Sequence, residues 1–207
     1  MVCMERSEAV KKLKALEGQV LQDLADRYNV TIYSSDGYVN KGWAGHVFEN
    51  FLGLPINSLQ SPDFGTWELK SIPLKRLKNS KLSFKETMAI TMINPEEVKK
   101  TPFEDSHLLS KLQKLIVIAR TVGDNVDAPS VIHSVNLFDL SGELYLDVKN
   151  DYNLIRETLL NPMLGFNALT GSMGKYIQPR TKGAGHGSTS RAFYARPLFL
   201  QQFIKLF

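Results

Sequence analysis

Apolar residues recur along this chain with two different periods, and the places where the period changes outline its elements. Between Ser7 and Tyr28, Val10, Leu13, Val20, Leu21, Leu24 and Ala25 fall at helical spacing, with Gly18 as the break between two helices. Ser34-Ser35-Asp36-Gly37 is a turn, after which Lys41-Gly42-Trp43 opens a third helix that runs to Leu52 and stops at Gly53 and Pro55. At about 100° per residue, Trp43, Ala44, Val47, Phe48, Phe51 and Leu52 cover an apolar arc of about 180°, and Glu49 projects about 60° beyond its edge. Glu49 therefore borders the core without being part of it.

Past a turn at Ser61-Pro62-Asp63, the period shortens to two. Trp67 to Ile72 reads as a strand with Trp67 and Leu69 on one face and Glu68 and Lys70 on the other, and Pro73 either ends it or marks an edge. Thr87 to Ile93 is a second strand, and Leu112 to Ala119 a third, following a basic turn that carries His107 and Lys111. Val131 to Leu140 and Glu143 to Val148 form a predicted hairpin around Ser141-Gly142. A helix from Tyr152 to Leu160, a short strand from Lys175 to Gln178, a glycine-rich mobile loop from Thr181 to Ser190 and a terminal helix from Pro197 to Leu206 complete the chain. The class is α+β, a mixed sheet flanked by helices.

Composition adds boundaries rather than a function. At 207 residues and 43% hydrophobic content the chain is expected to be one domain, residues 1–207. No apolar run is long enough for a membrane span, the first twenty residues lack a signal-peptide core, and the lone Cys3 cannot form an internal disulfide, so the cytoplasm is the expected compartment. A net charge of +4 is modest. Its distribution says more: Lys70, Lys75, Arg76, Lys78, Lys81 and Lys85 form one basic cluster, and Lys175, Arg180, Lys182, Arg191 and Arg196 a second. Either cluster alone reads equally as a solvated face; together they flank a group of carboxylates, as a polyanion-binding nuclease requires.

Phosphodiester hydrolysis needs a cation that polarises a phosphoryl oxygen and acidifies a bound water, and Mg²⁺ takes one or two carboxylates plus waters. Asp63 and Glu68 are such a pair, because the chain can turn in the five-residue interval between them. Lys70, on the face of Glu68, can stabilise hydroxide or the charge of the pentacovalent state. Acid, acid and lysine at this spacing also occur on ordinary surface strands, and the spacing alone does not separate the two. His46 and His107 have no partners at metal-ligand spacing, which argues against zinc.

The surrounding residues are more specific. Lys41-Gly42-Trp43-Ala44-Gly45 through Glu49, then Asp63-Phe64, then Glu68-Leu69-Lys70-Ser71-Ile72-Pro73, resemble the Lys-Gly-Trp-x-Gly helix, Asp-Phe turn and Glu-Leu-Lys strand of the MutH mismatch-repair endonucleases and the type II restriction enzymes that cut at GATC. Ser106-His107 with Lys111, Gln178-Pro179-Arg180-Thr181-Lys182-Gly183-Ala184, and Arg191-Ala192-Phe193-Tyr194 follow in the same order, and Gly18, Leu21, Leu24 and Ala25 extend the likeness to the start.

The resemblance implies a PD-(D/E)XK nuclease of the restriction-endonuclease type, with two subregions around a DNA cleft. Residues 1–74 would bring the acids, and the rest would complete the sheet and the DNA-reading loop. It implies Asp63 and Glu68 as metal ligands, Lys70 beside the attacking water, Glu49 as the upstream helix acid and Lys111 as a second lysine near the scissile phosphate. Lys41, Arg180, Lys182, Arg191 and Tyr194 are the implied DNA contacts: Arg180 fits a guanine edge, Lys182 a phosphate or a base, and Tyr194 a base or its methyl group. The link from Lys182 to Arg191 is shorter than in relatives, and only one copy of the fold is expected here, so a double-strand cut would need a second copy of the chain or two nicks. Ser83-Phe84-Lys85-Glu86 and the stretch 95–102 lie nearer the restriction branch, whereas the length lies nearer the repair branch, whose enzymes answer to a MutL-like activator. A non-catalytic DNA-binding protein of the same fold is the rival from another class; the presence of Glu49, Asp63, Glu68 and Lys70 together argues against it.

Overall fold

The computed structural model describes residues 4–53, 65–183 and 190–206. Cys3, the turn at residues 61–63 with Asp63, Phe64, and most of the glycine-rich loop, residues 184–189, lie outside the described residues.

Three helices come first, α1 (Arg6–Lys14), α2 (Leu21–Arg27) and α3 (Trp43–Phe51). Gly18, at φ 85°, makes the break between the first two in a conformation that costs a residue with a Cβ. The central sheet has the order β2-β1-β4-β5 and is built from β1 (Glu68–Arg76), β2 (Leu82–Phe84), β4 (Lys114–Val122) and β5 (Ile132–Asp139). β1 and β4 run parallel, with Glu68 opposite Leu115 and Lys70 opposite Val117, and the other pairs are antiparallel. A second, antiparallel sheet has the order β3-β7-β6, from β3 (Met88–Met92), β6 (Ile177–Thr181) and β7 (Arg191–Ala195). Helices α4 (Pro95–Lys100), α5 (His107–Leu112), α6 (Gly142–Leu160) and α7 (Pro197–Leu200) complete the mixed α+β architecture.

Strand alternation splits the interior in two. Leu69, Ile116 and Ile118 pack with Leu13, Leu24, Val47 and Phe48 of the N-terminal helices. Ile72, Leu74, Leu115 and Val117 point the other way, into a larger core with Phe103, Tyr152, Phe193 and Phe199. The boundary between the two cores runs through the sheet itself, and β1 serves both sides because its successive side chains alternate.

Three expectations change and one is decided. Glu143–Val148 is the start of α6, not half of a hairpin: Leu144 and Val148 fit a period of two, but with Tyr152, Ile155 and Leu159 they continue a helical stripe, and Leu146 is exposed. Of the two readings of Pro73 the edge is the one observed, and β1 runs past it to Arg76. The Pro73 carbonyl accepts from Lys85 N at 2.9 Å, on the β2 side, so the missing N–H also faces that edge and the ladder to β4 loses nothing. His107 and Lys111 sit on α5, capped by Ser106, whose Oγ accepts from Leu109 N at 3.1 Å, rather than in a basic turn. The last predicted strand and the last helix shift: β6 starts at Ile177 and runs through Pro179, which an edge strand tolerates, and α7 ends at Leu200. Helix α4 was not anticipated, although Asn94 before Pro95 is a start signal; the Asn94 side chain accepts from Glu96 N and Glu97 N.

Asp151 joins the two halves of the larger core. Its buried carboxylate, on α6, accepts from the backbone N–H groups of Lys175 and Tyr176 at 2.7 Å and of Ile177 at 2.8 Å, which fixes the entry into β6.

Candidate active site

β1 projects Glu68 and Lys70 from one face, and α5 brings Lys111 to the same point from its last turn, just before β4 pairs with β1. Lys111 Nζ lies 2.9 and 3.1 Å from the two carboxylate oxygens of Glu68, and Lys70 Nζ lies 2.5 Å from Oε1. The Glu68 side chain has no solvent exposure, that of Lys111 has 7% and that of Lys70 has 24%. A carboxylate taken fully from water is costly unless cations and hydrogen bonds compensate it, and here two ammonium groups do so. The difference in exposure separates the lysines: Lys111 holds the carboxylate from behind, and Lys70 is the ammonium a substrate can reach.

Glu49 is half-buried on α3, which packs against β1, and lies one turn beyond Gly45; a Cβ on Gly45 would come 3.9 Å from Glu49 Oε1. Asp63 lies outside the described residues.

Beyond Lys70 a groove of about 250 Å³ is lined by Lys70, Ser71, Glu86, Thr87 and Tyr194. Tyr194 is held there by its place in the middle strand of the second sheet, opposite Ala89 and Gln178. Arg180 donates to Thr87 Oγ1 at 2.9 Å and lies over the Tyr194 ring at 5.7 Å. Burial pushes the Tyr194 hydroxyl pKa up, with the Arg180 charge working against it. Lys182 is exposed at the end of β6, its backbone N bonded to Ser190 O at 2.9 Å. The structure thus brings Lys70, Tyr194 and Arg180 to one groove.

The other expected contacts are placed differently. Lys41 is exposed and lines a separate cavity with Trp43, Lys85 and Arg120. Arg191 Nε donates to Leu169 O at 3.0 Å and its guanidinium lies 4.9 Å from the Phe166 ring, so it braces the segment before β6. Arg196 does the same for the next turn, donating to the carbonyls of Gly171, Met173 and Gly174, and Lys175 pairs with Asp147 at 3.0 Å. Three members of the second basic cluster are therefore engaged by the protein's own groups, and the cluster contributes less free positive charge than its sequence suggested. Glu86 was not singled out as a site residue. It lies in the groove beside Lys70, and its only sequence signal was its place in the 83–86 stretch.

Glu68 offers carboxylate oxygens behind Lys70, which lines the groove, and a hard divalent cation needs only one or two carboxylates, with waters and phosphate oxygens filling its shell. Among the described residues no three His, Cys, Asp or Glu side chains gather into a cage.

Comparison with known proteins gives the geometry its context. The family model described as "DNA mismatch repair enzyme MutH" matches residues 52–151, the segment that carries Glu68, Lys70 and Lys111. The type II restriction enzyme Sau3AI of Staphylococcus aureus is 30% identical over 75% of this chain, which spans about a third (32%) of that enzyme's length. The DNA mismatch repair protein MutH of Actinobacillus pleuropneumoniae is 28% identical over 89% of this chain and 80% of its own. The restriction endonuclease MvaI, solved with its cognate DNA substrate, is a distant likeness, at 14% identity and a TM-score of 0.41 over 98% of this chain and 99% of its own. The chain is similar, in the segment that carries this site, to the MutH mismatch-repair enzymes and to the restriction enzyme Sau3AI.

Proposed function

We propose that this chain is a sequence-specific endonuclease of duplex DNA, a type II restriction enzyme that cuts at GATC or a closely related short site with Mg²⁺. The observation that carries this reading is the buried Glu68 carboxylate held between Lys70 and Lys111, within the segment that the MutH model matches. Nucleases of this family generally work with a divalent metal; Glu68 and Asp63 would hold it, and Mg²⁺ when bound would polarise the phosphoryl oxygen and acidify a water. The Lys70 ammonium then stabilises the hydroxide, or the negative charge that builds on the phosphoryl oxygens. Lys111 keeps the Glu68 carboxylate ionised and oriented, and Glu49 borders the same site from α3. Arg180 and Tyr194 read base edges from the far wall of the groove, while Lys182 and Lys41 contribute charge along the backbone, with Arg191 behind them.

A second reading has its own support: the chain spans 80% of a MutH relative's length but only a third of Sau3AI's. In that reading the enzyme nicks the unmethylated strand of hemimethylated DNA and a MutL-like protein switches it on. Supercoiled plasmid separates the two. A restriction enzyme, acting as two copies or by two nicks, gives linear product without help; a MutH-type enzyme gives open circles and accelerates with the activator.

Mg²⁺ and Mn²⁺ should support cleavage, and Ca²⁺ should support binding without turnover, because Ca²⁺ accepts oxygen ligands with looser geometry and activates water poorly. Plasmid cleavage across the three ions checks this, and full activity in excess EDTA would refute a metal mechanism.

For base reading, a guanidinium facing guanine offers two parallel hydrogen bonds worth about 1–3 kcal/mol of discrimination, whereas a phosphate contact favours every sequence equally. Arg180→Ala should therefore weaken binding to the cognate site about ten- to a hundredfold more than binding to unrelated DNA. Equal losses, measured by fluorescence anisotropy in Ca²⁺, would make Arg180 a backbone contact.

A further inference from the structure

The cavity that Lys41 lines lies on the α3 side of the central sheet, apart from the groove of Lys70 and Tyr194. It encloses about 520 Å³ between α3, the end of β1, and the segment after β4, and its charged lining is Lys41, Lys85, Arg120, Glu86 and Asp124. Arg120 is the unusual member. It is the β4 residue opposite Pro73, largely buried, with its guanidinium 5.5 Å from the Trp43 ring and Nη1 donating to Ser130 Oγ at 3.0 Å. Its Nε is buried and meets no hydrogen-bond partner. Burial lowers the Arg120 pKa to about 10, so the group is still a cation at neutral pH. A part-buried cation with an unused donor, a rim carrying two exposed lysines and only the longer-range charge of Glu86 to answer it has room for an anion. The guanidinium's fork of donors matches phosphate oxygens, and the Trp43 ring limits its reorientation.

Position selects the anion. Pro73 lines the cavity and lies three residues along β1 from Lys70, about 10 Å at strand rise. The odd interval puts Pro73 and Lys70 on opposite faces of β1, so the pocket lies across the strand from Lys70. Glu86 lines both the cavity and the groove, which makes the two neighbours along one surface.

We infer that Arg120, with Ser130, Trp43 and Lys85 beside Lys41, forms a second phosphate pocket that grips the DNA backbone next to the Lys70 groove. This rests on the endonuclease reading above and adds Arg120, Ser130, Trp43 and Lys85 to the contact already expected of Lys41. The pocket is sequence-neutral, so it contributes affinity and alignment rather than base choice.

The test is a scan with neutral methylphosphonates. Cognate duplexes carrying one methylphosphonate at each of the three phosphates on either side of the cleavage point are bound in Ca²⁺ by wild type, Arg120→Gln and Lys85→Gln, each first checked for a native thermal melt. For wild type, one or two adjacent positions should weaken binding about tenfold, the loss of a single charge-assisted contact. Arg120→Gln should weaken unmodified DNA by a similar factor, lower the salt slope by about one, and make those same positions nearly silent. Lys85→Gln, at the exposed rim, should reduce the penalty at those positions and leave the others alone. The pocket is refuted if the variants keep the wild-type position pattern, or if Arg120→Gln binds unmodified DNA as wild type does. A wild-type protein that cuts DNA while giving that result fails only the pocket; one that binds no DNA fails the endonuclease reading as well.

Discussion

Lys70→Met should lower the single-turnover rate of DNA cleavage about a thousandfold while DNA binding in Ca²⁺ stays within about tenfold, since loss of one group that stabilises transition-state charge costs on the order of 10²–10³ in rate. Glu68→Gln should lose at least as much, because it removes the proposed metal ligand as well as a carboxylate that pairs with both lysines. Stability separates these variants. Lys70 is part-exposed, and its loss leaves Glu68 paired with Lys111, so the melting temperature should barely move. Glu68→Gln takes from the Lys111 ammonium, with 7% side-chain exposure, the carboxylate that accepts from it at 2.9 and 3.1 Å. Removing one partner of a buried ion pair costs about 3–5 kcal/mol, or roughly 6–20 °C for a chain of this size. If Lys70→Met cut DNA at near wild-type rates, the buried ion cluster would be a structural feature and the active site would lie elsewhere.

Asp151→Ala should be the most damaging single change outside the site, lowering the melting temperature by about 10 °C. Three backbone N–H groups converge on this carboxylate at 2.7–2.8 Å, and its removal leaves them without an acceptor where the protein excludes most water. Each orphaned donor costs about 1–3 kcal/mol, partly recovered where water can enter the space, and a loss of about 3–5 kcal/mol follows. The neighbouring Gly174 is part of the same arrangement: at φ 75° a Cβ would sit 1.9 Å from Ile177 O, so Gly174→Ala should act in the same direction. Because β6 carries Arg180, Asp151→Ala should also weaken cognate binding at temperatures well below its melt. Calorimetry and anisotropy on the same samples measure both, and a shift under about 3 °C would show that water replaces the carboxylate without loss.

How much of this could be read from the chain differs by element. The first three helices and the core of β1 follow from periodicity, since Leu13, Leu24, Val47 and Phe48 bury as their spacing predicts. The first turn of α6 was misread because Leu144 and Val148 satisfy both periods while Leu146 satisfies only the shorter, and the next two turns decide between them. Pro73 left the end of the strand open because its tolerance depends on which edge its missing N–H faces, a property of the sheet. Glu68 and Lys70 were legible from alternation, and Lys111 only from family likeness. That Lys111 bonds both oxygens of Glu68 depends on α5 meeting β1 across 43 residues, which no local pattern encodes. The basic cluster around Arg191 and Arg196 was overread for a similar reason: charge is visible in sequence, but the carbonyls that engage it are brought there by the fold. Arg120 shows the reverse. One arginine in an apolar strand carries no motif, and its burial beside Trp43 appears only in three dimensions.

The central claim is that the Glu68 cluster cleaves DNA at a defined sequence. Plasmid bearing or lacking adenine methylation, incubated with Mg²⁺ and either wild type or Lys70→Met, followed by sequencing of the ends, tests it most directly. Wild-type ends should fall at one short site, GATC or a near relative, with a changed yield on methylated plasmid and no ends above background from Lys70→Met. Ends scattered without sequence preference, or the same ends from both proteins, would contradict it.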